Sequence, residues 1–217
     1  MLNTPFSPWP SFTAEEADAV RDVVLSNKVN YWTGQECREF EKEFATWAGT
    51  DYAVALANGT VALDLALNAL GIGAGDEVIV TPRTFLASVS SIVNDGATPV
   101  FAEVDRDTQN ITAKSIQAVL TPRTRGVICV HLAGWPCDMD PIMDLAASYG
   151  LKIIEDCAHT MGAAWAGVPS GRHGLVGCYS MQTYKHINSG EGGFLISDDA
   201  EAMARAVLLS GSYMLYA

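Results

Sequence analysis

Lys152-Ile153-Ile154-Glu155-Asp156-Cys157-Ala158-His159 is an apolar run that closes on two carboxylates. Gly126-Val127-Ile128-Cys129-Val130 is equally unbroken before His131. Strands with one wet face alternate apolar and polar residues, whereas strands buried on both faces read as continuous apolar runs. The chain is therefore expected to be α/β, with a mostly parallel central sheet and helices on both faces. Working outward, strand-like runs fall at 52–56, 77–80, 98–103, 126–130, 152–155, 177–181 and 193–197. Helical spacing falls between them at 60–70, 85–94, 112–120, 140–149 and 199–209. Ahead of them, Thr13-Ala14-Glu15-Glu16 is a capping box followed by Val20, Val23 and Val24 at helical spacing. A loop through Tyr31-Trp32-Thr33-Gly34 then leads to a helix with Phe40, Phe44 and Trp47 on one face.

Open parallel sheets collect ligands outside the carboxyl ends of their strands. Gly59 and Thr60, Phe85, His131, Asp156 and Lys185 all follow predicted strands at once or within a few residues. Lys185 sits in Ser180-Met181-Gln182-Thr183-Tyr184-Lys185-His186-Ile187-Asn188-Ser189-Gly190-Glu191-Gly192-Gly193. A lysine amine forms a Schiff base with an aldehyde. A strand-end carboxylate holds a pyridine nitrogen protonated, and open amides at a helix N-terminus bind phosphate. Together these are the protein groups that pyridoxal phosphate chemistry requires. Asp156 is the expected carboxylate, because strand alternation turns Glu155 to the other face. The first strand is followed by Asn58-Gly59-Thr60 and not by G-x-G-x-x-G, which argues against dinucleotide binding.

The 217 residues are enough for one large domain, and 49% hydrophobic with 18% charged residues marks a globular chain. A net charge of -12 argues against a nucleic-acid or anionic-membrane partner. No basic segment followed by an apolar run opens the sequence, and no apolar stretch is long enough to span a bilayer. The five cysteines form no C-x-x-C pair, so a reducing cytoplasm is expected, with no metal site, and Cys129 and Cys178 read as small core residues.

Beyond these groups, the chain resembles the DegT/DnrJ/EryC1/StrS sugar aminotransferases, within the fold-type I pyridoxal phosphate enzymes. The resemblance runs from about Val29 to the last residue. It rests on Asn58-Gly59-Thr60, Gly75-Asp76-Glu77-Val78-Ile79, Thr81-Pro82-Arg83-Thr84-Phe85, Val130-His131-Leu132, Asp138-Met139-Asp140, Glu155-Asp156 and Gly190-Glu191-Gly192-Gly193. It implies that residues 1–217 comprise the N-terminal arm and the large cofactor-binding domain, without the family's smaller C-terminal domain. It implies amino transfer from an amino acid, such as L-glutamate, to a nucleotide-linked keto-sugar, in a homodimer. The rival readings are lyase or dehydratase chemistry on a sugar nucleotide, and a non-catalytic regulatory protein of the same fold. A relative with dehydratase chemistry replaces the lysine by histidine; here Lys185 is retained.

The resemblance also assigns individual residues. Ser180 joins Gly59 and Thr60 on the phosphate. Phe85 stacks on the pyridine ring, against the plain alternative of a core aromatic. His159 donates to the phenolic oxygen, or is a satisfied histidine at a helix start. Tyr31-Trp32-Thr33-Gly34 lies near the substrate entrance. Departures fall at Cys157, Met181 and Gly134-Trp135, and are expected to touch the pocket wall and not the reacting groups.

Overall fold

A computed structural model of the chain describes residues 8–211. The strands are β1 (Tyr52–Leu56), β2 (Glu77–Val80), β3 (Thr98–Phe101), β4 (Thr124–Val130), β5 (Lys152–Asp156), β6 (Ala164–Trp165), β7 (Val168–Pro169), β8 (Val176–Ser180) and β9 (Gly193–Ser197). The helices are α1 (Ala14–Leu25), α2 (Glu36–Ala48), α3 (Gly59–Ala69), α4 (Ala87–Asn94), α5 (Ala113–Gln117), α6 (Met139–Tyr149) and α7 (Ala200–Leu209). One seven-stranded sheet has the order β1-β9-β8-β5-β4-β2-β3. The ladders from β8 to β3 are parallel, and β9 pairs antiparallel with both β1 and β8. The sheet is thus mostly parallel and covered by helices, as the unbroken apolar runs require.

Alternation along the strands sorts the core. Val78, Val80, Ile128, Val130 and Ile154 pack with residues of α3, α4 and α7. Ile79, Val127, Cys129 and Ile153 pack with residues of α5 and α6. By the same parity Asp156 belongs to the α3/α4 face and Glu155 to the α5/α6 face. A third cluster joins Phe44 and Ala48 of α2 to Tyr179, Phe194 and Ile196. The Phe44 ring stacks on Phe194 at 4.3 Å between centroids.

Helix ends follow local chemistry. Thr13 and Glu16 make the predicted capping box of α1. Asn58 caps α3 by accepting from Val61 N, and α2 stops at Gly49, whose φ of 72° suits glycine. Some predicted bounds shift. Phe85 and Leu86 stand in the turn before α4 and not inside it. The helix expected over 112–120 is only Ala113–Gln117, because the chain tightens into a Val119 N to Ile116 O bond ahead of Pro122. The β6–β7 hairpin has two-residue strands, too short to show periodicity in the sequence. None of the residues of α1 is buried, and Val20 and Val24 lie open. The aromatic stretch Tyr213-Met214-Leu215-Tyr216 lies outside the described residues.

Candidate active site

A cavity of about 480 Å³ opens at the carboxyl edge of the parallel strands. Gly59, Thr60, Phe85, Asp156, His159, Ser180 and Lys185 all line it. They arrive from separate elements: β1 feeds the start of α3, β2 feeds the turn before α4, β5 ends in Asp156 and β8 ends in Ser180.

One wall is the start of α3. The amides of Gly59 and Thr60 open the helix, so no carbonyl within it can accept from them. No acidic residue stands in the first turn to compete for an anion. The packing here is tight. A Cβ on Gly59 would meet the Ser180 Cβ at 2.9 Å, and one on Gly193 would meet the Asn58 backbone at 2.4 Å. These glycines let β8 and β9 close against the turn, bringing the Ser180 side chain beside the helix opening. Open amides, hydroxyls and a helix dipole in one cradle suit a phosphate.

Lys185 stands in a loop closed on itself. Met181 N donates to Gly192 O at 2.7 Å, Thr183 N to Gly190 O at 2.9 Å and Lys185 N to Gln182 O at 2.8 Å. Gly190 has a φ of 83°, the left-handed turn expected of the glycine-rich stretch. Burial lowers the pKa of the Lys185 amine from its usual value, and Asp156 across the cavity opposes part of that shift. The amine is therefore uncharged at a lower pH than a free lysine.

Asp156 is buried, with its carboxylate held at both oxygens. Ala158 N donates to Oδ1 at 3.1 Å, and Ser88 Oγ donates to Oδ2 at 2.7 Å. The sequence reading missed Ser88, which looks like any helical serine. The available signal was a hydroxyl one turn after Thr84-Phe85 on the apolar face of α4.

Glu155 does turn away from the cavity, but it is no bystander. It is fully buried. Oε2 accepts from His131 Nε2 at 2.8 Å and from Gly171 N at 2.8 Å. Oε1 accepts from His173 N at 2.7 Å and Gly174 N at 2.6 Å. Cys137 N donates to His131 Nδ1 at 3.1 Å, so the proton of this ring sits on Nε2 and points at Glu155. Burial alone would raise the Glu155 pKa; the His131 and glycine amide bonds outweigh it and lower it. His131, Glu155 and Cys157 bring metal-ligating atoms within 4.8 Å of one another, but hydrogen bonds already occupy both His131 nitrogens and both Glu155 oxygens.

This network carries a prediction. Glu155→Gln turns an amide NH₂ toward backbone donors and should cost about 3 kcal/mol of stability. Because the folded pKa is depressed, the native contribution is present above the unfolded value of 4.5 and is lost as pH falls through the folded pKa. Urea titrations from pH 7 to pH 3 should show the native and variant curves converging; a constant gap, or none, counts against this role.

Phe85 is not a core aromatic. It is 73% exposed and lines the cavity. Burial, followed by the nearby Lys185 charge, lowers the His159 pKa. Ala133 N donates to His159 Nδ1 at 3.4 Å, which leaves Nε2 to carry the ring proton. Cys157 and Met181 do not form cavity wall, contrary to expectation; both are buried in the cluster against α2. Tyr31 also stands apart from this cavity, with its hydroxyl donating to Glu41 Oε2 at 2.7 Å.

Residues 10–213 match the DegT/DnrJ/EryC1/StrS aminotransferase family. The GDP-perosamine synthase of Caulobacter vibrioides is 44% identical over 197 residues, which are 89% of this chain and 53% of that protein. The crystal structure of the Psychrobacter cryohalolentis aminotransferase superposes with a TM-score of 0.91 at 60% identity, covering 93% of this chain and 51% of that one. NtdA from Bacillus subtilis, solved with bound cofactor PMP, superposes with a TM-score of 0.84 at 26% identity, covering 97% of this chain and 49% of that one. The chain thus spans about half the length of the relatives that it matches.

Proposed function

The chain belongs to the DegT/DnrJ/EryC1/StrS aminotransferase family, and on that premise we propose that it is the cofactor-bearing part of a sugar aminotransferase. The proposed reaction moves an amino group from an amino acid donor, L-glutamate, to a keto-sugar carried on a nucleotide diphosphate. The family cofactor is pyridoxal 5′-phosphate. The observation that carries the reading is the convergence of Lys185, Asp156 and the open start of α3 on one cavity.

The donor set fits that cofactor. Gly59 and Thr60, with the Ser180 hydroxyl, would hold its phosphate. Asp156 would hold a proton on its ring nitrogen, and the Phe85 ring would lie against its face. His159 Nε2–H is a donor suited to its phenolic oxygen. Lys185 would hold its aldehyde carbon covalently. When bound, the cofactor supplies an electron sink for bond breaking at the substrate carbon. Once the donor's amine has displaced it from the cofactor, Lys185 Nζ, its pKa lowered by burial, would carry a proton from the donor's carbon to the cofactor carbon, and in the second half from the cofactor carbon to the sugar carbon.

Phe85 lines the cavity yet is 73% exposed, and Leu86 and Tyr184, the sequence neighbours of cavity residues Phe85 and Lys185, are 70% and 73% exposed. Exposed apolar side chains at and next to a reactive cavity suit a second copy of the chain, so the working form is read as a homodimer. Among the described residues no helix is long and apolar enough to cross a membrane. A cytoplasmic enzyme without nucleic-acid partners agrees with the charge of -12.

Borohydride reduction of the cofactor-loaded protein, followed by peptide mass analysis, should place the cofactor on the peptide containing Lys185. Loaded protein given L-glutamate and a nucleotide-linked keto-sugar should release 2-oxoglutarate and amino-sugar in equal amounts. Label on another lysine would overturn the site; a dehydrated sugar without 2-oxoglutarate would move the reading to dehydratase chemistry.

A further inference from the structure

We propose that Ser88 is a positioning residue for Asp156: its buried hydroxyl, backed by Thr84, fixes the carboxylate so that it can keep the cofactor's ring nitrogen protonated. The inference rests on the cofactor reading above.

The serines of α4 show why Ser88 is singled out. A serine inside a helix usually bonds back to a carbonyl of the preceding turn. Ser90 Oγ does so with Ala87 O at 3.4 Å, and Ser91 Oγ with Ser88 O at 3.5 Å. Ser88 instead reaches across to β5, 68 residues away in sequence, and meets Asp156 Oδ2 at 2.7 Å. Ser88 is wholly buried, so this hydroxyl has no water to fall back on.

The direction of the chain follows from proton counting. A carboxylate only accepts, so the single Ser88 proton goes to Asp156. Thr84 Oγ1 lies 2.8 Å from Ser88 Oγ, and with that proton committed, Thr84 must be the donor of the pair. The relay therefore runs from Thr84 to Ser88 to Asp156. Thr84 lines the cavity beside Phe85. The same short turn thus presents the stacking ring and anchors the relay.

Two donors on two different oxygens stop the carboxylate from rotating. Each oxygen keeps further accepting capacity, and Asp156 lines the cavity. Without Ser88, only the Ala158 amide holds the carboxylate, which is then free to turn away from the position in which it faces the ring nitrogen.

The test loads the native protein and the variants Ser88→Ala, Ser88→Thr and Thr84→Val with pyridoxal phosphate labelled with nitrogen-15 in the ring. The ring-nitrogen chemical shift reads proton occupancy directly, fluorescence titration reads cofactor affinity, and thermal melting of the cofactor-free proteins controls for folding. Ser88→Ala should move the shift toward the unprotonated position and weaken cofactor binding by about tenfold, the loss of one charge-assisted hydrogen bond. Ser88→Thr should restore most of both, and Thr84→Val should move both in the same direction by less. If native protein loads and Ser88→Ala gives the native shift and affinity, this inference is overturned while the cofactor reading stands. Native protein that takes up no cofactor overturns both. Should Ser88→Ala fail to fold, Thr84→Val decides: a shift toward the unprotonated position upholds the relay, and an unchanged shift sinks it.

Discussion

Lys185→Ala is expected to lower amino transfer by about 10⁴-fold or more, the upper end of what one positioned acid–base group contributes. The side chain has two tasks, holding the cofactor and moving the substrate proton, and alanine can do neither. Lys185→Arg should lose as much, because a guanidinium retains its proton throughout the working range and cannot act as a base. Single-turnover absorbance changes with L-glutamate measure the loss. A small amine such as methylamine should restore part of the rate in Lys185→Ala, since it fits the space left by the side chain, and should do nothing for Lys185→Arg. In the native protein, cofactor attachment should quicken as pH rises, with a midpoint below 10.5, because burial depresses the pKa of this amine. An alanine variant with native turnover would remove Lys185 from the chemistry altogether.

Much of this site was legible because backbone geometry places it. A carboxylate at the end of an apolar strand must point out of the sheet edge, and strict alternation separates Asp156 from Glu155. The amides of Gly59 and Thr60 are left open by helix geometry wherever a strand turns into a helix. What stayed hidden depends on contacts between elements. The Ser88–Asp156 bond joins residues 68 apart, and nothing local in Ala87-Ser88-Val89-Ser90-Ser91 marks which serine faces β5. Glu155 was correctly turned away from the cavity, but its task there depends on the amides of Gly171, His173 and Gly174 in a loop without periodicity. Cys157 and Met181 were expected in the cavity wall, yet the strand parity that aims Asp156 outward turns its neighbour into the cluster against α2. The valine stripe of α1 was legible as amphipathic, yet Val20 and Val24 are exposed. A pattern identifies an apolar face without identifying what covers it.

Asp156→Asn separates charge from shape at the same position. The amide is nearly isosteric, so its oxygen can still accept from Ser88 or from Ala158, and the fold should survive. What it cannot supply is a negative charge, and without one the ring nitrogen has no partner that holds its proton. Turnover should then fall by about 10²- to 10⁴-fold, while borohydride still fixes the cofactor on Lys185, because attachment uses the lysine amine and not the ring nitrogen. Glu155→Gln should show the opposite pattern, with a folding penalty and nearly native turnover in the surviving folded fraction, because Glu155 does not itself line the cavity and binds His131 and the loop amides behind it. Measuring both variants by urea unfolding and by half-reaction rate places each on one axis. If Asp156→Asn proves merely unstable while Glu155→Gln loses turnover in a fully folded protein, the strand faces have been assigned to the wrong tasks.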